Sequence, residues 1–249
     1  NLVKKKNEIW IYIQVESWYI ISYRMKYVYD YDFDLILTFT EHFYNKKKTY
    51  KFLPYNKVYW IAPTYELQKN LNLPSIEPIN YIIKNKKYQI SMICGEKNWA
   101  PGHQLRRKIW EYQKNMIFPK KFRYSQNYGD LKLFDDNKKI SSSKDKTELF
   151  IDSMFHIVIE NNQAIDYFTE KLIDCFVSRT IPIYYGCPNI GDYFELRGMI
   201  IINNIDDVKN LNNILSEKYY NDRLHWIEDN YQRIINNSSF KEQFIKIIQ

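Results

Sequence analysis

One segment, from Phe155 to Gly186, restricts the fold more than any other part of this sequence. It begins with the apolar run FHIVIE, which is typical of a buried strand, and continues through the polar loop NNQAID. The following YFTEKLIDCFVSR predicts a helix whose apolar stripe contains Leu172, Ile173, Phe176 and Val177. The run IPIYYG then predicts a second strand, which Gly186 can close with a tight turn. Strand, helix and strand in this order indicate a βαβ unit, and therefore a parallel sheet.

The rest of the chain also alternates between the two periodicities. Strands are predicted at Glu8–Ser17, at Phe33–Phe39, at Tyr88–Cys94 and in the runs VYWIAP and GMIII. Helices are predicted for HQLRRKIWEYQ and from Asp206 onward, where the apolar positions are Trp226, Ile227, Tyr231 and Ile234. Residues 63–88 are predicted to be a linker and residues 135–148 a polar loop. This order of elements predicts an α/β protein.

Composition narrows the class of protein. Apolar residues make up 45% and charged residues 26% of the 249 positions, which excludes a disordered chain. The net charge of +7 favours anionic partners, but we find no nucleic-acid-binding motif and expect no nucleic-acid partner. Three cysteines and four histidines without a CxxC pair make a disulfide framework or a zinc site improbable.

Localisation is left open by the sequence. No apolar run reaches the length of a transmembrane segment, and no signal peptide is visible. The chain begins at Asn1 rather than at Met, so its natural start is an open question. Both a cytoplasmic protein and a membrane-associated one with a preceding anchor are compatible with these features.

Four polar residues follow the first strand of the βαβ unit. Glu160 and Asn161 lie at its carboxyl end, where ligands bind in open parallel sheets. Glu170 and Lys171 lie in the first turn of the next helix, where free N–H groups favour an anion such as a phosphate. Glu170 could accept hydrogen bonds from ribose hydroxyls. The alternative is an ordinary helix start with an acidic cap and a solvated lysine.

Taken whole, the segment resembles the donor-binding motif of the α-1,3/4-fucosyltransferases, glycosyltransferase family ten. The matching positions are Glu160-Asn161, Tyr167, Thr169-Glu170-Lys171, Pro182 and Gly186. The resemblance implies a GT-B-like fold of two Rossmann-like domains, here residues 1–87 on the acceptor side and residues 88–249 on the donor side. It also implies an inverting transfer of a sugar from a nucleotide sugar to a glycan or glycoprotein, with no cofactor and no metal.

The resemblance further implies which residues bind the donor. Glu160, Asn161, Tyr167, Glu170 and Lys171 fall on the motif. An arginine in the helix after the first donor-domain strand contacts the diphosphate in this family, and APGHQLRRKIW supplies Arg106 with Arg107 beside it. Such cations stabilise the leaving group as its charge develops. The alternative for the two arginines is an exposed helix face.

An inverting transfer needs a base, since the acceptor hydroxyl loses its proton as it attacks. The resemblance places a glutamate at the end of a strand in the first domain, and IWIYIQVESW puts Glu16 there. Glu41 and His42 are the reserve candidates. The alternative is that Glu16 is only a polar residue at the end of a strand.

Two departures from the family pattern affect the substrate. Cys94-Gly95-Glu96 replaces the family's Ser-Asn near the nucleotide, and Ser153-Met154-Phe155 replaces its Tyr-Lys-Phe. The resemblance implies GDP-fucose as the donor, and these departures leave another nucleotide sugar, such as a UDP-sugar, as the alternative. Only about fifteen residues precede Glu16, so we expect a first domain that is truncated, reduced or completed by a missing segment. A catalytically inactive relative that binds carbohydrate or nucleotide is the other alternative.

Overall fold

A computed structural model describes residues 4–14, 16–17, 19, 33–39, 49–52, 83–141, 143–236 and 245. Its larger sheet has six parallel strands: β4 (Lys87–Cys94), β5 (Lys120–Tyr124), β6 (Lys138–Lys139), β7 (Ser153–Ile159), β8 (Ile181–Tyr185) and β9 (Ile200–Ile201). They lie in the order β6-β5-β4-β7-β8-β9. Counted from β4, this is the 3-2-1-4-5-6 order of a doubly wound nucleotide-binding fold. The predicted α/β class and parallel sheet are confirmed.

Six helices accompany this sheet in the described part of the chain. They are α1 (Pro101–Tyr112), α2 (Ser143–Ile151), α3 (Glu170–Val177), α4 (Ile205–Ile214), α5 (Glu217–Asn221) and α6 (Leu224–Asn236). The predicted βαβ unit is β7, α3 and β8, and its two strands pair in parallel from Phe155–Ile181 to Ile159–Tyr185.

Alternation along β7 explains how helices cover both faces of the sheet. Ile157 and its neighbours two residues away on the same face pack in a core with Ile109 of α1 and Leu211 of α4. Val158 points the other way and packs with Phe150 of α2 and with residues of α3 and α6. All four residues of the predicted α3 stripe are buried. Strands buried on both faces read as continuous apolar runs, as FHIVIE does.

A second sheet precedes the first in the chain. Its strands β1 (Ile11–Ile13), β2 (Leu35–Thr38) and β3 (Thr49–Phe52) are parallel and neighbour one another in chain order. Buried Gln14 helps to join the first two, because its backbone N–H donates to Leu37 O at 2.9 Å. The run VYWIAP and most of the predicted linker lie outside the described residues.

Three local predictions differ from the structure. The first strand is shorter than predicted and ends at Ile13, so Glu16 follows it in a bend. The predicted polar loop at 135–148 contains β6 and the first turns of α2, which buries Leu149 and Phe150 just beyond the predicted loop. Strand β5 was not predicted, and its residues KKFRY pair in parallel with β4.

The amino ends of three strands of the larger sheet are joined by Lys86. Its ammonium group is buried and donates to Phe150 O, to Ser153 O at 3.0 Å and to Thr180 Oγ1 at 2.6 Å. Burial lowers the pKa of Lys86 well below its ordinary value. This polar cluster lies at the edge of the sheet opposite to the carboxyl ends, and it fixes the starts of β4, β7 and β8 relative to one another.

Candidate active site

Two cavities open at the carboxyl ends of the central strands. The larger, about 590 Å³, is lined by the end of β4, by residues 95–97, by Arg106 and by residues 125–127 after β5. The smaller, about 220 Å³, lies between the last residues of β4 and β7, with Glu170 and Lys171 of α3 in its lining. Both share Ile93 and Arg106. The strand order reverses between β4 and β7, which is where open α/β sheets bind their ligands.

Helix α1 approaches the end of β7 unusually closely because of Gly102. An added Cβ at this residue would lie 1.8 Å from Glu160 O and 2.9 Å from Asn161 O. The Gly102 N–H donates to Asn161 O at 2.9 Å. One turn further on, Arg106 donates from Nη2 to Ile159 O. The glycine thus lets the helix place its arginine against the carboxyl end of β7.

The two arginines of α1 have different surroundings. Arg106 lies between the two cavities, and burial lowers the pKa of its guanidinium, which nevertheless stays protonated in a protein. Arg107 lies outside the lining of both cavities. Its Nη1 pairs with Asp130 at 2.8 Å and donates to Glu96 O at 3.2 Å. The structure therefore places the charge of Arg106 at the candidate site and uses Arg107 to tie the surrounding loops together.

Glu160 organises the loop that leads into α3. Its carboxylate is fully buried and accepts from Thr169 N at 2.8 Å and from Thr169 Oγ1 at 2.9 Å. Burial raises the pKa of Glu160 above its usual value, against the opposing charge of Lys171. The side chain of Thr169 in turn caps α3 by accepting from Lys171 N. Because these groups already satisfy each other, Glu160 positions Thr169 and the start of α3 instead of facing a ligand.

Lys171 and Glu170 form the charged wall of the smaller cavity. Lys171 Nζ lies 3.5 Å from Glu160 Oε2 and 3.3 Å from Glu170 Oε1, and 32% of its side chain is exposed. Burial opposes its charge, but the two carboxylates raise the pKa of Lys171 above its ordinary value. Burial likewise opposes the charge of Glu170, yet the neighbouring lysines lower its pKa. The cavity therefore presents a fixed ammonium and a fixed carboxylate side by side.

Tyr167 joins the motif to the first sheet. Its ring is fully buried, stacks on Phe39 with centroids 5.8 Å apart, and its hydroxyl donates to Glu16 Oε2 at 2.8 Å. A second link lies beside it, where Ser17 Oγ donates to Asn162 Oδ1. Glu16 is thus held against the loop between β7 and α3, although the two segments are about 150 residues apart in the chain.

The structure shows where each predicted site residue lies. Arg106, Glu170 and Lys171 line cavities, whereas Glu160 and Tyr167 are buried and hold other side chains. The reserve candidates, at positions 41 and 42, lie outside the described residues.

Sequence reasoning missed His103. Its Nδ1 accepts from the Ala100 N–H at 3.3 Å, so Nε2 carries the proton and donates to Asn161 Oδ1 at 3.0 Å. Burial and the nearby Arg106 lower the pKa of His103 to about 4, which keeps the ring neutral. The signal in the sequence was its position three residues after Ala100, which makes it the third residue of a helix.

Two features of the described residues bear on metals and membranes. His, Cys, Asp and Glu side chains within those residues form no group of three or more that could hold a metal ion. Over the same residues, each helix is too short or too polar to cross a bilayer.

Comparison with known proteins identifies similar sequences and folds. Residues 119–246 match the sequence profile described as glycosyltransferase family 10 (fucosyltransferase), C-terminal part. A 67-residue segment is 39% identical to the α-(1,3)-fucosyltransferase FucT of Helicobacter pylori. That segment is 27% of this chain and 13% of the relative, so the aligned part spans a small share of the relative's length.

Solved structures extend the similarity of fold over nearly the whole chain. An α1,3-fucosyltransferase crystallised with GDP-fucose matches 98% of this chain and 76% of its own, with a TM-score of 0.54 and 16% identity. The Anabaena protein Alr3699/HepE, crystallised with UDP-glucose, matches 96% of this chain and 71% of its own, with a TM-score of 0.59 and 11% identity. These neighbours confirm the predicted GT-B-like fold.

Proposed function

Because this chain belongs to glycosyltransferase family 10, we propose that it transfers fucose from GDP-fucose to a hydroxyl group of a glycan, with inversion at the anomeric carbon. One observation carries the proposal. The cations Arg106 and Lys171 line a cavity at the reversal point of a parallel sheet, and the carboxylate of Glu16 is held at the same loop by Tyr167.

The two cations are suited to a diphosphate. Arg106 is anchored to Ile159 O and Lys171 is positioned by two carboxylates, so both charges are fixed before a ligand arrives. Preorganised charges of this kind stabilise the negative charge that develops on a leaving group. The amino end of α3 contributes less than the sequence suggests, because Thr169 N and Lys171 N already donate within the protein. Anion binding would therefore rest on the side chains of Arg106 and Lys171, with Lys146 as a third cation in the lining of the smaller cavity.

Glu170 is suited to the ribose. Its lowered pKa keeps it ionised, and an ionised carboxylate accepts hydrogen bonds but repels phosphate. A nucleotide would consequently bind with its ribose hydroxyls towards Glu170 and its phosphates towards Lys171 and Arg106. The 590 Å³ cavity is within the usual range for small-molecule sites and meets the smaller one at Arg106.

Glu16 would act as the base. The acceptor oxygen attacks the anomeric carbon from the face opposite to the diphosphate, the bond from that carbon to the phosphate oxygen breaks, and Glu16 takes the proton of the acceptor. The diphosphate leaves with its charge balanced by Arg106 and Lys171. No step in this scheme requires a metal, and we propose that none is needed.

For the identity of the donor there are two candidates, GDP-fucose and a UDP-sugar. The solved neighbour crystallised with GDP-fucose supports the guanine nucleotide. The Anabaena neighbour crystallised with UDP-glucose has the higher TM-score, which favours a UDP-sugar as the second candidate. A thermal-shift screen with GDP, UDP and CDP distinguishes them, since a ligand of the native state raises the midpoint. We expect GDP to give the largest rise, and no rise with any nucleotide would contradict a nucleotide-sugar site.

Variants test the assigned residues. Arg106→Ala and Lys171→Ala each remove a charge-assisted contact, so donor affinity should fall roughly ten- to hundredfold in titration calorimetry. Lys108→Ala is the matched control, because this exposed lysine lies on α1 outside the lining of both cavities. Unchanged affinity in both cavity variants would remove these residues from the site.

Glu16→Gln tests the chemistry separately from binding. Donor affinity should stay near the wild-type value, while transfer to an acceptor falls by roughly 10²–10⁴-fold, the usual effect of losing a general base. Normal turnover would place the base elsewhere. A wild-type protein that binds the donor but transfers to no acceptor would support the inactive-relative alternative.

A further inference from the structure

Two exposed aromatic side chains meet beside the site described above. Tyr19 follows Glu16 by three residues, and Trp99 lies in the loop between β4 and α1. Their ring centroids are 6.2 Å apart and their planes are inclined by only 6°. Tyr19 is 47% exposed and Trp99 is 50% exposed. Parallel rings at this centroid separation are offset, so part of each aromatic face stays uncovered.

The pair is held in place by the loop that follows β7. The ring of His103 meets Trp99 edge to face with centroids 5.1 Å apart, and His103 also bonds to Asn161. On the other side, Ser17, which lies two residues before Tyr19, donates to Asn162. The same loop continues to Tyr167, which contacts Glu16. The two rings therefore have a fixed position relative to the carboxylate.

About half of the surface of both Tyr19 and Trp99 is exposed to water, and a ligand could cover it. Aromatic side chains present large, rigid apolar faces and lose little conformational freedom when a partner covers them. The cavities at Arg106 already account for the charged parts of the donor. Tyr19 lies instead three residues after Glu16, on the segment that precedes β2, and Trp99 stacks on it from the loop between β4 and α1. The pair is therefore on the side of the site where the group receiving the sugar must approach the base.

We propose that Tyr19 and Trp99 form a subsite for the acceptor, which binds a sugar ring through its apolar C–H face. This proposal rests on the proposed function, because the acceptor is a glycan only if the protein transfers a sugar. A pyranose ring carries C–H groups on one face and hydroxyl groups around its edge. Stacking of that face on the rings leaves the hydroxyls at the edge free to reach Glu16.

Saturation-transfer NMR with simple pyranosides tests the subsite directly. The probes are methyl β-D-galactopyranoside and methyl β-D-glucopyranoside, with glycerol as a polyol that has no ring. We expect transfer to the ring C–H protons of one face of at least one pyranoside, and a weaker effect on glycerol. Absence of transfer to both pyranosides would overturn the proposal.

Four variants locate the binding. Trp99→Ala and Tyr19→Ala should each weaken pyranoside affinity roughly three- to tenfold, the size expected for one aromatic contact. Trp99→Phe should retain part of the affinity, because it keeps an aromatic face. Ile117→Ala is the control, since this apolar side chain is 79% exposed and precedes the amino end of β5, whereas the proposed subsite lies at the carboxyl ends of the strands. Unchanged affinity in both alanine variants of the pair would refute the subsite.

Measurement of GDP-fucose affinity on the same variants distinguishes the acceptor subsite from the donor site proposed above. GDP-fucose affinity should be unaffected by Trp99→Ala and Tyr19→Ala. A drop in GDP-fucose affinity equal to the drop for the pyranoside would mean that the rings stack on the nucleobase, which overturns the acceptor subsite. A wild-type protein that binds pyranosides through these rings but binds no nucleotide would contradict the donor assignment while leaving the sugar subsite intact.

Discussion

Replacement of Gly102 by alanine should displace α1 from the carboxyl end of β7. The added Cβ would lie 1.8 Å from Glu160 O, which is a backbone atom and cannot rotate away. Restoring an ordinary van der Waals separation requires the helix and the loop to part by about 1.5 Å. Overpacking of this kind costs about 1–3 kcal/mol of stability. The Gly102 N–H bond to Asn161 O would be strained at the same time.

The displacement should reach the site, because Arg106 is one turn further along the same helix. A shift of about 1 Å in a positioning element can reduce activity by about 10²-fold. We therefore expect Gly102→Ala to lower the melting temperature and to weaken nucleotide binding in titration calorimetry. Gly191→Ala is the matched control, because the nearest atom to its Cβ would be the flexible side chain of Leu196 at 3.3 Å. Wild-type affinity and stability in Gly102→Ala would refute the close approach.

Three other outcomes are expected. Tyr167→Phe removes the hydroxyl that donates to Glu16, so turnover should fall about tenfold or more. Donor affinity measured by calorimetry should stay at the wild-type value. Turnover equal to that of the wild type would show that Glu16 does not need this hydrogen bond. Turnover should survive EDTA, and complete loss that manganese restores would contradict the metal-free scheme. Burial lowers the pKa of His103 to about 4 and that of His156 to about 3, so both rings stay neutral while the unfolded chain takes up protons below about pH 6.5. The free energy of unfolding should therefore fall by up to about 1.4 kcal/mol per pH unit for each histidine between about pH 6 and pH 5, and the contribution of His103 should fade as the pH approaches 4. Chemical denaturation of His156→Gln should show a shallower decline. An identical decline in that variant would mean that His156 is accessible to protons in the native state.

The elements that the sequence predicted best are those with strong local patterns. The continuous apolar run FHIVIE and the apolar stripe of α3 identify β7 and α3, because each of these elements packs its apolar residues in the cores beside the sheet. Strand β5 was not predicted, since KKFRY owes its strand conformation to pairing with β4. The start of α2 was not predicted, because its polar first turns resemble a loop until Leu149 and Phe150 are seen buried.

In the site, too, local features were predictable from the sequence and contacts between distant segments were not. The motif placed Glu170 and Lys171 correctly at the start of a helix, since a helix boundary depends on neighbouring residues. The contact between Tyr167 and Glu16 depends on how two distant segments pack, and no local pattern reports it. The burial of Glu160 was hidden for the same reason, because a carboxylate at a strand end reads as a ligand group until Thr169 is seen to bond to it.

The contact of one loop with both parts of the chain has a thermodynamic consequence. Residues 160–171 carry the cation and carboxylate of the smaller cavity, and they also hold Glu16 and Ser17. Any ligand that orders this loop from the cavity side changes the free energy of binding on the Glu16 side. Linkage requires the reverse change to be equal in size. If a nucleotide increases the affinity for an acceptor by some factor, the acceptor must increase the affinity for the nucleotide by the same factor, so the order in which the two substrates bind cannot alter the stability of the ternary complex.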